Sequence, residues 1–156
     1  MKIRKAEEKD ISALSKLHKE FIQEHAQLYD RVFYEVTRHA TKQWTQWAKK
    51  MLQNKSIGFF IAEEKDEIIG YVSGWIEERP PIYSLKKTGY LSNIFIIPQK
   101  RKKGIGSNLH EALLGWFKKK KVTYVELNVN TQATPAYAAW SALGYKEVAK
   151  RMRRIV

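Results

Sequence analysis

Residues 90–113 read YLSNIFIIPQKRKKGIGSNLHEAL. The stretch has three parts in a fixed order. Tyr90 to Ile97 is apolar and β-branched, the composition of a strand. Gln99 to Lys103 is a basic turn. Gly104-Ile105-Gly106 then opens directly into an amphipathic helix. A helix start presents backbone N–H groups without intrahelical partners and carries positive partial charge. Gly104 and Gly106 let the backbone come close to a ligand. A strand, a basic turn and glycines at a helix N-terminus together predict an anion site, with phosphate the expected group.

Working outward, the N-terminal half predicts one strand, two helices and a hairpin. Met1 to Arg4 is a short strand, and Asp10 is placed to cap a helix running to about Ala26, with Ile11, Leu14, Leu17, Phe21 and Ile22 at helical spacing. A second helix is expected from Val36 to Leu52, with Val36, Ala40, Trp44, Trp47 and Met51 on its core face. Its basic residues and two tryptophans also fit a membrane or nucleic-acid binder, but the apolar stripe favours packing. Ile57–Ala62 and Ile68–Ile76 then form a hairpin around Lys65-Asp66-Glu67, and Gly70 and Gly74 predict a bulge or close backbone approach. Glu77 to Thr88 is expected as a loop, with Pro80-Pro81 stopping any strand there.

Beyond the opening stretch, the helix carries Leu109, Leu113, Trp116 and Phe117 on one side and ends in Lys118–Lys121. Val122–Val129 is a strand reached through that helix, so it is expected to run parallel to the strand at 90–97. Thr134-Pro135 starts a last helix that Gly144 caps, and Tyr145–Val156 is expected as a closing strand. The whole reads as one α/β (α+β) domain, residues 1–156, with about four helices around a mixed sheet.

Composition narrows the chemistry. The chain has 156 residues, 44% of them hydrophobic, enough for a substantial core. No apolar run is long enough to span a bilayer and no signal-peptide pattern opens the chain, so a cytoplasmic protein without a membrane partner is expected. It contains no cysteine, which excludes disulfides, zinc–thiolate sites and a thiol nucleophile. The four histidines show no metal-binding spacing, and no metal is expected. The net charge of +13 favours anionic partners and leaves nucleic acid as a lesser alternative.

The glycines match neither a Walker A loop, since no Gly-Lys-Ser/Thr follows, nor a dinucleotide fingerprint, which needs a third glycine and a distant acid. Ile96-Ile97-Pro98 followed by Arg101-Lys102-Lys103-Gly104-Ile105-Gly106 instead resembles motif A of the GNAT superfamily of N-acetyltransferases, whose signature is Q/R-x-x-G-x-G/A just after a strand-ending proline. The similarity extends over nearly the whole chain, including the order of elements. It implies a mostly antiparallel sheet whose fourth and fifth strands are parallel and splayed, with acetyl-CoA in the slot between them. Backbone groups of Ile94, Phe95 and Ile96 would meet the acetyl-pantetheine arm. Arg101, Lys102, Lys103, Gly104, Ile105, Gly106 and Ser107 would cradle the pyrophosphate, and Asn128 would line the slot. The implied chemistry is attack of a neutral amine on the thioester carbonyl, with a backbone N–H of the fourth strand stabilising the oxyanion.

The chain departs from that pattern at the proton-transfer positions. Many GNAT proteins carry a tyrosine where this chain has Trp140, and an indole N–H is no acid for a leaving thiolate. Tyr137, one turn earlier, is the expected substitute. No standard carboxylate base is visible; Glu126 shares a strand face with Asn128 and is the remaining candidate, and Asn93 and Asn128 could instead hold a water chain. The resemblance places the acceptor between residues 24–34 and 77–83, where Glu24, Tyr29, Asp30, Glu77, Glu78 and Tyr83 suit an amine. Three functions are carried forward: acetylation of a small-molecule amine as the leading one, acetylation of a protein or peptide, and a non-catalytic acetyl-CoA-binding module. A single strand after the last helix would leave a sheet edge open, which predicts a homodimer.

Overall fold

Lys65 and Asp66 take φ values of 51° and 64° in the computed structural model, which describes residues 1–156. Two consecutive left-handed residues make the primed turn whose twist suits a hairpin, and β2 (Ile57–Glu64) and β3 (Glu67–Glu78) close around it. With β1 (Lys2–Lys5), β4 (Lys87–Ile96) and β5 (Val125–Leu127) they form one sheet in the order β1-β2-β3-β4-β5. The first four strands are antiparallel neighbours, and β4–β5 is parallel. This is the mixed α/β sheet expected, with one strand fewer.

Helices cover both faces. On one lies α3 (Ile105–Lys119), whose Ile105, Leu109, Leu113 and Phe117 are buried against Ala62, Ile69, Val72 and Leu91. On the other lies α1 (Ile11–Leu28), whose Leu14, Leu17 and Phe21 pack on Phe59, Ile61, Tyr71 and Phe95. Each such side chain contributes about 1.5–3 kcal/mol on leaving water. α2 (Ala40–Gln53) leans against α1, and α4 (Thr134–Ala142) adds Trp140 to the α3 side. No helix is long and apolar enough to cross a membrane.

Four expectations are corrected. Asp10 makes no capping bond to α1; it is buried and accepts the Arg4 guanidinium at 2.7 and 2.9 Å and the Glu7 N–H at 2.8 Å. α2 begins at Ala40, and Trp47 is 43% exposed because only Ala48 and Met51 of this helix are fully buried. Thr134 is the first residue of α4, with buried Ala133 in the capping position. Residues 145–156 form no strand. Val148, Met152 and Ile155 lack the two-residue period of a strand, and all three are exposed among basic neighbours. β5 is therefore the outer strand of the sheet, and it is short.

Candidate active site

The site begins with an irregularity in β4. Ser73 of β3 faces Asn93 and Gly74 faces Leu91, so Ser92 is an extra residue. A bulge of one residue reverses which face the following side chains occupy. Leu91 packs under α3, whereas Phe95, of the same parity, packs under α1; Ile94 and Ile96 turn toward α3 instead. The last β4–β5 pair is Leu91 with Leu127. From the bulge to Ile96, the outer edge of β4 has no partner strand. Bulge and strand separation thus coincide, and a slot opens beside β4.

The chain then passes a short 3-10 turn at Pro98–Lys100 and enters the loop before α3. Lys102 (φ 61°) and Gly104 (φ 75°) are both left-handed. None of the backbone N–H groups from Lys102 to Ser107 has an acceptor within the chain; Asn108 makes the first, to the Gly104 carbonyl at 3.1 Å. Left-handed residues within such a loop can turn neighbouring N–H groups into one concavity, a form that binds anions. The first turn of α3 has no acid, and Lys102 and Lys103 are exposed beside it. An added Cβ on Gly106 would meet only the ends of Ile96 at 3.4 Å and Ile94 at 4.0 Å. Nothing in the chain itself forces a glycine there, while a ligand approaching the backbone would. The cradle therefore fits a pyrophosphate, and the bare edge of β4 fits an amide-bearing arm.

Arg101 is arranged differently from its neighbours. Its guanidinium donates to Glu24 of α1 at 2.6 Å and to the Ile96 carbonyl at 2.9 Å, and it lies over the Phe95 ring. The side chain staples the loop to α1, and the Arg101 backbone N–H is taken by the Pro98 carbonyl at 3.2 Å, so the backbone free to face an anion begins at Lys102. Lys100 is paired with Glu64 in the same way.

The candidates for proton transfer are dispersed. Tyr137 is 45% exposed and its hydroxyl makes no hydrogen bond. Trp140 packs edge-on against His110 and Tyr145, so it is a packing residue and not a proton donor. Glu126 is exposed, unpaired, and opposite Tyr90 in the β4–β5 register. Asn128, just past the last strand pair, donates to the Tyr90 hydroxyl at 2.8 Å. No motif or spacing in the sequence marks Tyr90 for a role. It lies two residues before the bulge, on the α1 face, with its ring against Trp75. Because its oxygen accepts from Asn128, its own proton is free. Burial, and then Glu77, raise its pKa, so it stays protonated at neutral pH. Burial also raises Tyr34, which senses both Asp30 and Tyr90. Trp75 donates to Glu77 at 3.0 Å. One wall beside the slot is thus lined by Tyr90, Tyr34, Trp75, Glu77 and Asp30, drawn from three separate segments. Only the two loops were visible in the sequence; no spacing links Tyr90 or Trp75 to them.

Comparison with known proteins bears on this geometry. The model of a family described as the acetyltransferase (GNAT) family matches residues 16–145. An uncharacterized N-acetyltransferase of Methanocaldococcus jannaschii is 28% identical over 82% of this chain and 55% of its own length. An N-alpha-acetyltransferase of Sulfurisphaera tokodaii is 32% identical over 62% of this chain and 61% of its own. The chain thus spans little more than half the length of these two relatives. Among solved structures, a predicted acetyltransferase of Clostridium acetobutylicum crystallised with acetyl-CoA superimposes with a TM-score of 0.79 at 24% identity, covering 99% of this chain and 95% of that one.

Proposed function

The chain belongs to the GNAT family of acetyltransferases, and from that we propose that residues 1–156 act as one domain that moves an acetyl group from acetyl-CoA to a primary amine of a small molecule. The observation that carries the reading is the run of unsatisfied N–H groups at Lys102–Ser107, set at the end of a strand whose outer edge is bare. Acetyl-CoA supplies an acetyl group already activated as a thioester.

The chain's own contributions follow from the site. N–H groups of Lys102, Lys103, Gly104, Ile105, Gly106 and Ser107, with the two lysine charges, hold the pyrophosphate. Ile94, Phe95 and Ile96 offer backbone groups to the pantetheine arm. A β4 N–H near the Ser92 bulge donates to the carbonyl oxygen as negative charge grows on it. The acids Asp30 and Glu77 attract a cationic amine and the aromatic wall desolvates it. Desolvation favours the neutral, nucleophilic form of that amine. Tyr90 is the best-placed hydroxyl to give a proton to the departing sulfur, with Asn128 orienting it; Tyr137 is the alternative. Glu126, opposite Tyr90, is the candidate to receive the amine proton through water.

Release of free CoA across a panel of small amines and of peptides with free N-termini tests this reading. Turnover confined to small amines supports it. Turnover confined to peptides supports the second reading, protein N-terminal acetylation, which the name of the 32% identical relative favours. Acetyl-CoA binding without turnover on either set would leave a binding module. We further propose that the open outer edge of β5 pairs with a second copy. A strictly monomeric sedimentation profile at high micromolar concentration would sink that proposal.

A further inference from the structure

Segment 145–156 has no secondary structure, yet it is not adrift. Arg153 donates to one oxygen of the Asp30 carboxylate at 2.8 Å, and its guanidinium lies 4.8 Å from the centroid of the Phe33 ring. The other Asp30 oxygen accepts the Phe33 N–H at 2.9 Å, so the carboxylate is already oriented by its own turn. The Arg151 guanidinium lies 5.8 Å from the centroid of the same ring. A carboxylate beside an aromatic face is a seat for a cation.

The location matters more than the pair. Asp30 and Phe33 sit in the connection between α1 and α2. Tyr34, the next residue, senses the charge of Asp30 and the hydroxyl of Tyr90, and Tyr90 in turn senses Arg151. The seat therefore adjoins the wall beside the β4–β5 slot. The basic segment that fills it would have to yield to any acceptor with a positive charge at that position. Asp30 is 24% exposed, while Arg153 is 61% exposed and makes no hydrogen bond other than the one to Asp30.

We propose that the Asp30–Phe33 seat recognises the second cationic centre of a dicationic amine acceptor, and that Arg153 occupies it as a built-in competitor which such an acceptor displaces. The inference rests on the reading of the slot as an amine-acetylation site, and it deepens that reading by naming the acceptor class. The reacting amine lies toward Tyr90 and the remote cation replaces the guanidinium on Asp30. The net charge of +13 opposes a polycation only at long range, since charges beyond about 8 Å are screened at physiological salt. The local acids Asp30 and Glu77 then decide.

The test compares 1,4-diaminobutane with n-butylamine, which has one amine and nearly the same reach. Kinetics are run with acetyl-CoA, and calorimetric titration of each amine is run in the presence of CoA. Arg153→Ala is expected to lower KM and Kd for the diamine at least roughly 5-fold, and Asp30→Asn to raise them at least roughly 10-fold. Arg153→Ala should leave butylamine within about 2-fold, Asp30→Asn should weaken butylamine less than the diamine, and Arg154→Ala should change neither amine. If both variants shift the two amines equally, or shift neither, the inference is overturned. It is overturned as well if no variant binds the diamine in the titration. If the titration shows the expected shifts but no amine releases CoA, the seat stands and the activity reading falls.

Discussion

Tyr90 and Tyr137 differ in one respect that chemistry will feel. The Tyr90 hydroxyl is held by Asn128 at the point where β4 and β5 part, while the Tyr137 hydroxyl is exposed and unheld. A positioned proton donor contributes about 10²–10⁴-fold. Tyr90→Phe is therefore expected to lower kcat by about 100-fold with little change in the KM for acetyl-CoA, and Tyr137→Phe by less than about 3-fold. Steady-state kinetics at saturating amine check both, and a larger loss in Tyr137→Phe than in Tyr90→Phe would move the role to Tyr137. His18 carries a different prediction. It stacks on Trp44, bonds the Tyr71 hydroxyl at 3.0 Å, and burial lowers its pKa to about 4. In the unfolded chain it titrates near 6.5, so on acidification the unfolded state takes up the proton first. Its contribution is complete above about pH 7 and is lost between about pH 6.5 and 4. By urea unfolding, the wild type should lose about 2 kcal/mol more than His18→Gln between pH 7.5 and pH 5.

Elements are joined by a few charged contacts whose removal should be costly. Arg4 of β1 bonds both Asp10, at the head of α1, and Glu63 of β2, at distances from 2.7 to 3.1 Å. Arg4→Ala leaves the buried Asp10 charge without its partner and should destabilise the fold by about 3 kcal/mol in urea unfolding. Leu109→Ala in α3, at a fully buried position, should cost a similar amount, about 3 kcal/mol, through the cavity it leaves. The elements that could be read in the chain were those set by local rules. The β2–β3 hairpin was legible because a two-residue turn and alternating strands are neighbours in sequence. The loop at 101–107 was legible because its glycines, lysines and helix start are contiguous. The Tyr90–Asn128 bond was not, because it joins residues 38 positions apart whose meeting depends on where β5 leaves β4. The segment 145–156 misled because a short apolar and basic run after a helix looks like an edge strand, whereas its Arg153 finds Asp30, 123 positions away.

At the scale of the molecule, the sheet does two tasks with one distortion. It separates an α1 layer from an α3 layer, and the Ser92 bulge rotates β4 so that its bare edge runs toward the α3 N-terminus while Tyr90 faces the α1 side. On the proposed reading, donor and acceptor thereby take opposite approaches to the same gap. The basic surface reinforces the donor side, where Lys102 and Lys103 stand without acidic partners. The central claim is that the 101–107 loop holds the pyrophosphate of acetyl-CoA. Calorimetric titration of acetyl-CoA into the wild type and Gly106→Glu tests it most directly. At Gly106 the new side chain would meet little of the protein itself, so the fold should persist by circular dichroism and thermal melting. The account predicts saturable binding by the wild type and at least roughly 100-fold weaker binding by the variant, whose carboxylate would stand where the phosphates belong. Equal affinity of the two folded proteins for acetyl-CoA would contradict it.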